Sequence, residues 1–417
     1  MNYEKPLPIK LILISTIVFL SCTGDESVTV PLFDKGGQLV NTIEIPLAAS
    51  NLIEGIYSVE NGSENFGRNV VIKFTGKTFS IFTGKNFAYF VLKGGIKDSS
   101  IIFEGYWRFA QDSKTGLATL RLDSKEGGKQ ALQNNAPNSS FVFRGSFGEG
   151  GNSTINELTL RYVRPLSKSN IDFKILAHRG GGRNLDQLPE SENSLGMMQI
   201  AETFGANGIE IDVRLTNDNV PIIFHDENLS PRLVVGEFAI GPIKNYSYAH
   251  LLTLCRLKNG ELIPTLREAL ETVLYKTNLA FVWLDVKDPA AIPQIIKLQD
   301  EYAKLGNASG RKLEILIGLP DEVAIEEFQR QPNYKNIGSL CELEFDTVLK
   351  TNSLVWAPAW TRGPMTDEVN KMRGLGKRVF FWTLDGPEFI KVFLDESVAD
   401  GILTNYPSIV AYEYYIR

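Results

Sequence analysis

The sequence predicts an α/β chain in two parts: a (β/α)8 TIM barrel over residues 172–417, preceded by an all-β antiparallel sandwich or small barrel domain over residues 51–165. Three observations predict it. Before residue 165, eight short runs rich in Val, Ile, Phe, Thr and Tyr follow one another, separated by turn residues. After PLSKSN (165–170), strand-like and helical patterns alternate to residue 417. That is the texture of parallel βα units, over a span close to the ~250 residues such barrels take. The strand-like runs of this second part also end repeatedly in charged or titratable side chains, and barrel chemistry sits at the carboxyl ends of the strands.

The N-terminus reads as a targeting segment. MNYEKPLPIK carries two lysines, LILISTIVFL is apolar, and SC follows, which is the layout of a signal peptide over residues 1–21. Ten or so apolar residues are too few to span a bilayer. FLSC resembles the cleavage box of bacterial lipoproteins, in which the cysteine becomes the lipidated first residue. On that resemblance Cys22 is the anchor and residues 22–50 form a tether with a few extended residues. The protein then sits in the bacterial cell envelope, facing the periplasm or exposed at the surface. A plain secretory signal and an uncleaved anchor are the alternatives. Net charge is −6 with no basic block, which argues against a nucleic-acid partner. With only three histidines, His178, His225 and His250, any metal site is not His-rich. Cys255 and Cys341 are too few for a disulfide framework; a single bond and two buried free thiols both remain open.

The eight runs of the first part are GIYSVEN, NVVIKFTG, TFSIFTG, FAYFVLKGG, SIIFEGYWRFA, GLATLRLD, SFVFRGSFG and ELTLRYVRP. They contain no His or Cys, and read as a structural or binding module. In the second part KILAHRG is followed by the helical NSLGMMQIAETFGA and by GIEIDVRLT. TLREALETVL, LAFVWLDVKD, a helix through 290–305, LEILIGLP and DEVAIEEFQRQ continue the alternation. SLVWAPAW, TDEVNKMRGLG, RVFFWTLD, PEFIKVFLDES and DGILTNYP complete it. YSYAHLL reads as a helix that leaves His250 structural or exposed.

Chemistry gathers at the strand ends. KILA runs into His178, Arg179 and three glycines; VPIIF runs into His225 and Asp226. GIEIDV presents Glu210 and Asp212 on one strand face, and FVWLDVKD presents Asp285 and Lys287 on one face, because side chains two apart in a strand point the same way. VFFWTLD presents Trp382, and Glu192 precedes the first helix. Three carboxylates in one barrel mouth repel unless a cation sits among them, and an oxygen-only set suits Mg2+ or Ca2+ rather than Zn2+. Arg179 and Lys287 at the same rim are groups a phosphate wants. Two histidines on different strand ends can serve as general acid and base. Together these point to phosphodiester cleavage.

The residues that carry this reading also carry a resemblance. HRG (178–180), SENS (191–194), ANGIEIDVRLTNDNVPIIFHD (206–226), IPTL (263–266), LDVK (284–287), WTLD (382–385) and DGILTNYP (400–407) stand in this order, and the chain over about 172–417 resembles the glycerophosphodiester phosphodiesterase family. The resemblance implies that His178 and His225 are the catalytic pair and that Glu210, Asp212 and Asp285 hold one divalent cation, Ca2+ or Mg2+. It implies that Arg179 and Lys287 bind the phosphate, that Glu192 supports the site from behind, and that Trp382 walls the glycerol side. The substrate is then a small glycerophosphodiester, cleaved to glycerol 3-phosphate and an alcohol, with the membrane reached through the lipid anchor. Three departures stand out: Asp285 where the family has Glu, a longer loop with proline displaced to Pro189, and no S-F-D in the fifth-strand region EILIGLP. Alternatives are a lysophospholipid or envelope-polymer diester as substrate, and a non-catalytic surface binding protein.

Overall fold

The computed structural model describes residues 30–33, 37–75, 78–151, 154–167, 172–236 and 239–417. Cys22, the signal segment and residues 22–29 and 34–36 of the proposed tether lie outside the described residues. Among the described residues no helix is long and apolar enough to cross a membrane.

The first part is a closed barrel, not a sandwich. Its eight strands run from Gly55–Asn61 to Asn156–Arg164 and pair antiparallel with their neighbours in sequence. The last strand returns to the first, with Tyr57 opposite Tyr162. Alternation sends the aromatic residues inward. Phe79 and Phe103 stack with ring centroids 4.0 Å apart, and Phe66 meets Phe90 edge-on at 4.8 Å. An eight-stranded barrel has an interior that side chains just fill, and closure removes the sheet edges. The last residues before the barrel are not extended: Leu47–Ile53 is a helix that buries Ala49, Ser50 and Ile53. Ala49 and Ile53 stand four apart, on one helix face, and Ile53 joins the barrel core.

The second part is a barrel of eight parallel strands: Lys174–Ala177, Gly208–Leu215, Phe281–Val286, Glu314–Leu319, Ser339–Cys341, Val355–Trp356, Arg378–Phe381 and Gly401–Thr404. The first strand closes it, with Ala177 opposite both Thr404 and Ile209. Leu176, Phe281, Trp283, Leu316, Leu340, Val355, Phe380 and Leu403 fill its interior, while Ile175, Ile209, Ile211, Val282 and Leu284 face the helices outside.

Two sequence expectations change here. VPIIF is not a barrel strand: Pro221–Ile223 folds back antiparallel on Gly208–Leu215, with Ile223 opposite Val213. EILIGLP is therefore the fourth strand. The true fifth, Ser339–Cys341, has three residues, too few to show a period; the sequence reading passes over it and the helix Phe345–Thr351 that follows.

One hydrophobic cluster bridges the two barrels, outside their separate interiors. Ile56, Val71, Phe82, Tyr89 and Ala110 of the first pack with Phe204 and Ala411 of the second. The C-terminal helix Pro407–Tyr415 lies against strands Asn69–Thr75 and Thr78–Thr83.

Candidate active site at the mouth of the parallel barrel

Where the first strand ends at Ala177, HRG makes a tight turn with Arg179 left-handed (φ 52°, ψ 40°). A non-glycine residue seldom takes that conformation, and strain of this kind gathers at functional sites. Gly180 follows with φ 81°, a conformation that favours glycine, and the next two glycines leave room for neighbouring side chains. A Cβ on Gly181 would lie 2.5 Å from Met197 Sδ, and one on Gly182 would lie 2.4 Å from a Leu188 methyl. The turn aims Arg179 into the mouth. Its backbone N–H donates to Glu210 Oε2 (2.8 Å), and its guanidinium donates to Glu192 Oε1 (2.8 Å). Glu192 is almost fully buried. It also accepts from Arg232 (3.3 Å) and from the Asn184 N–H (2.9 Å).

Glu210, Asp212 and Asp285 converge as strand parity requires, with Asp212 directly opposite Asp285 on the neighbouring strand. One oxygen of each lies within 4.8 Å of the others. Glu210 Oε1, Asp212 Oδ1 and Asp285 Oδ1 are buried without a hydrogen-bond partner, a costly state for polar atoms. Burial, then Asp212 and Asp285, pushes the Glu210 carboxyl well above its usual range; burial also raises Asp285. Burial alone would raise Asp212 too, but Lys287, His225, His178 and the Asn193 amide together hold it low. Burial alone would lower Lys287; Asp285, Asp212 and Glu210 outweigh it. Lys287 Nζ lies 2.6 Å from Asp285 Oδ2 and 3.3 Å from Asp212 Oδ1. Three buried carboxylates that bring one oxygen each within 4.8 Å, with Glu210 Oε1 and Asp285 Oδ1 lacking any partner, fit a hard divalent cation, and the shorter Asp285 stays in the set.

The histidines approach from two sides. His178 Nδ1 is 2.7 Å from Asn405 Oδ1, and its Nε2 is 3.8 Å from Glu210 Oε2. The Asn405 amide cannot turn round, because its Nδ2 donates to Asp385 Oδ2 (2.6 Å). Its oxygen therefore faces His178, the proton sits on Nδ1, and Nε2 is left with a lone pair. Burial, helped by Arg179, lowers the His178 pKa to about 4, so the ring is neutral at neutral pH. His225 is half-buried. It reaches the mouth through the fold-back hairpin, with Nδ1 2.8 Å from Asp226 Oδ1. Arg214 fixes that approach by donating to the carbonyls of His225 (2.9 Å) and Lys287 (3.2 Å). A cleft of about 430 Å3 opens beside His225 and Lys287.

Trp382 packs on the inner barrel core and donates from Nε1 to Ala357 O (2.6 Å). His250 is exposed on the helix Tyr248–Leu254. Cys255 and Cys341 are buried free thiols in separate clusters. Sequence reasoning missed Asn193, which donates to Asp212 Oδ2 (2.7 Å). It also missed Asn405, Asp385 and Glu342. Parity would have found two of them: Leu403 and Leu340 face inward, so Asn405 and Glu342 do too. Glu342 Oε1 is buried without a partner, and burial, then Asp285, drives its carboxyl well above the usual range.

A model of the glycerophosphoryl diester phosphodiesterase family matches residues 178–344. A glycerophosphodiester phosphodiesterase of Caldanaerobacter subterraneus subsp. tengcongensis is 27% identical over 248 residues, 56% of this chain and 94% of the relative. Glycerophosphodiester phosphodiesterase 1 of Homo sapiens is 33% identical over 144 residues, 32% of this chain and 40% of the relative. Among solved structures, a glycerophosphodiester phosphodiesterase from Parabacteroides distasonis is similar at 23% identity and a TM-score of 0.46, over 58% of this chain and 96% of that one. An Oleispira antarctica phosphodiesterase, solved in complex with the product sn-glycerol-3-phosphate, is similar at 23% identity and a TM-score of 0.46, over 56% of this chain and 94% of that one.

Proposed function

We propose that the chain belongs, through its parallel barrel, to the glycerophosphoryl diester phosphodiesterase family, whose model matches residues 178–344, and that it hydrolyses glycerophosphodiesters to glycerol 3-phosphate and an alcohol with a divalent cation and the His178–His225 pair. One observation carries the reading. The carboxylates of Glu210, Asp212 and Asp285 gather within 4.8 Å of one another in a single barrel mouth with Lys287, Arg179 and two imidazoles beside them.

Glu210, Asp212 and Asp285 would hold Ca2+ or Mg2+, which when bound neutralises phosphate charge as it develops in the transition state. Arg179 and Lys287 bind and orient the phosphate oxygens. His178 is the base. Its Nδ1–H is committed to Asn405, so Nε2 takes the proton of the attacking hydroxyl while that oxygen bonds to phosphorus. His225 is the acid. Asp226 holds its Nδ1 and so orients the ring, and the ring passes a proton to the departing alkoxide as the P–O bond breaks. The nucleophile is either water or the neighbouring glycerol hydroxyl, the second giving a cyclic phosphate first. Trp382 walls the glycerol side, and Glu192 keeps Arg179 in place.

Purified chain incubated with glycerophosphocholine or glycerophosphoethanolamine is expected to release glycerol 3-phosphate with Mg2+ or Ca2+ and to stop with chelator. Release that is indifferent to chelator overturns the cation's part; no release from folded protein on either diester moves the substrate to lysophospholipid or envelope-polymer diesters. Lipid anchoring in the envelope through Cys22 is proposed on the sequence MNYEKPLPIKLILISTIVFLSC alone. Incorporation of labelled fatty acid that survives Cys22→Ala would contradict it.

A further inference from the structure

We propose that the antiparallel barrel is a working part of the catalytic unit: through Arg108 it holds the entrance loop 183–188, and through that loop the phosphate-binding Arg179. The functional half of this inference rests on the phosphodiesterase reading; the anchoring half does not.

Arg108 lies on the antiparallel strand Ser100–Phe109 and is only 2% exposed. Its Nη1 donates to Gln187 O (2.7 Å), its Nη2 to Asp186 O (2.5 Å), and its Nε to Asp112 O (3.4 Å). Among the described residues no carboxylate pairs with it. A guanidinium buried this deeply and satisfied by carbonyls cannot lose them cheaply, because an uncompensated charge would be left out of water. The loop's other holds are polar bonds within the parallel barrel, from Arg183 to Asp186 and Tyr406 and from Asn184 to Glu192, and Leu188 packs on the core at its end. Leu185 at its centre is 80% exposed, and Arg108 is the hold that comes from the antiparallel barrel. Gln187 is left-handed (φ 50°, ψ 47°), a conformation that persists only where the surroundings impose it, and its carbonyl is one of the two loop carbonyls that Arg108 grips.

Two lines of contact run from the gripped loop to the catalytic groups. In the first, the Asn184 N–H donates to Glu192 Oε2 (2.9 Å), Asn184 Oδ1 accepts from the Glu192 N–H (2.8 Å), and Glu192 Oε1 accepts from Arg179 (2.8 Å). In the second, Asp186 Oδ1 accepts from the Tyr406 hydroxyl (2.9 Å), and Tyr406 follows Asn405, the residue that holds His178. The turn after the Arg108 strand adds a third touch: Gln111 Nε2 donates to Asp385 O (3.3 Å), and the Asp385 carboxylate holds Asn405. Arg108 is therefore a positioning residue. It touches no reacting atom, but the residues that do are braced against what it holds.

The test compares Arg108→Ala and Arg108→Lys in the full chain. Lysine keeps the charge and can serve one of the two loop carbonyls. Ser80→Ala is the control, since it removes another bond between the barrels, from Ser80 Oγ to Thr203 O (2.9 Å), away from the loop. Two readouts are taken on variants that unfold at the wild-type temperature: amide exchange across 183–188, and KM and kcat on glycerophosphocholine. Arg108→Ala is expected to speed exchange in the loop and to raise KM about tenfold while kcat changes less, because ground-state grip on the phosphate is what is lost. Arg108→Lys should fall between, and Ser80→Ala should match wild type. Unchanged loop exchange and unchanged KM in both Arg108 variants overturn the proposal; should Arg108→Ala not fold, Arg108→Lys decides alone. If wild type releases no glycerol 3-phosphate, the exchange result still decides the anchoring, and the phosphodiesterase reading is what fails.

Discussion

Both halves of this molecule are closed eight-stranded barrels, yet only one gathers chemistry. In the antiparallel barrel, neighbouring strands point opposite ways, so their carboxyl ends alternate between the two rims. In the parallel barrel all eight carboxyl ends share one rim. Inward positions one step beyond the core layer then converge on one point: His178 beyond Leu176, Asp285 beyond Trp283, Glu342 beyond Leu340, Trp382 beyond Phe380 and Asn405 beyond Leu403. The antiparallel interior is instead packed end to end with Phe79, Phe103, Phe143, Phe66 and Trp107. Closure makes a core; strand direction decides whether the core ends in a site.

Substitutions should separate the two barrels in what they cost. The largest effect is expected from His178→Ala. Loss of a positioned base typically costs 10²–10⁴ in rate, so kcat should drop about 1,000-fold, or about 4 kcal/mol, with thermal unfolding near that of wild type. Phe79→Ala should do the reverse. Truncating a fully buried phenylalanine costs about 3–5 kcal/mol of stability, read by denaturant unfolding, while kcat per folded molecule holds. A large fall in kcat there would blur the distinction. Asn405→Ala should be smaller, because the His178 ring stays but loses the partner that sets its tautomer. Outer partners of this kind are worth about 10–100-fold, and the lower end, read in kcat, is expected here.

Much of this arrangement is legible in the amino-acid sequence. Strand parity alone puts Glu210 with Asp212 and Asp285 with Lys287, because a two-residue period survives in any barrel. The same rule applied to Leu403 and Leu340 finds Asn405 and Glu342. Other features have no local signature. His225 reads as the end of a barrel strand because VPIIF is as apolar as one, and only long-range pairing shows it folding back on Gly208–Leu215. The three-residue strand Ser339–Cys341 is too short for any period to show. The grip of Arg108 on the entrance loop is invisible in sequence because its partners are backbone carbonyls, which every residue carries. The proton position on His178 follows only from the bonds of Asn405 to Asp385.

The most direct test of the cation site is a titration of the purified chain, followed by calorimetry and thermal unfolding. One Mg2+ or Ca2+ is expected to bind per chain, and saturation at about 100 times Kd should stabilise the fold by about 2.7 kcal/mol. Asp212→Asn should abolish both. A chain that binds neither cation, or an Asp212→Asn variant that binds as wild type does, would contradict the site's assignment.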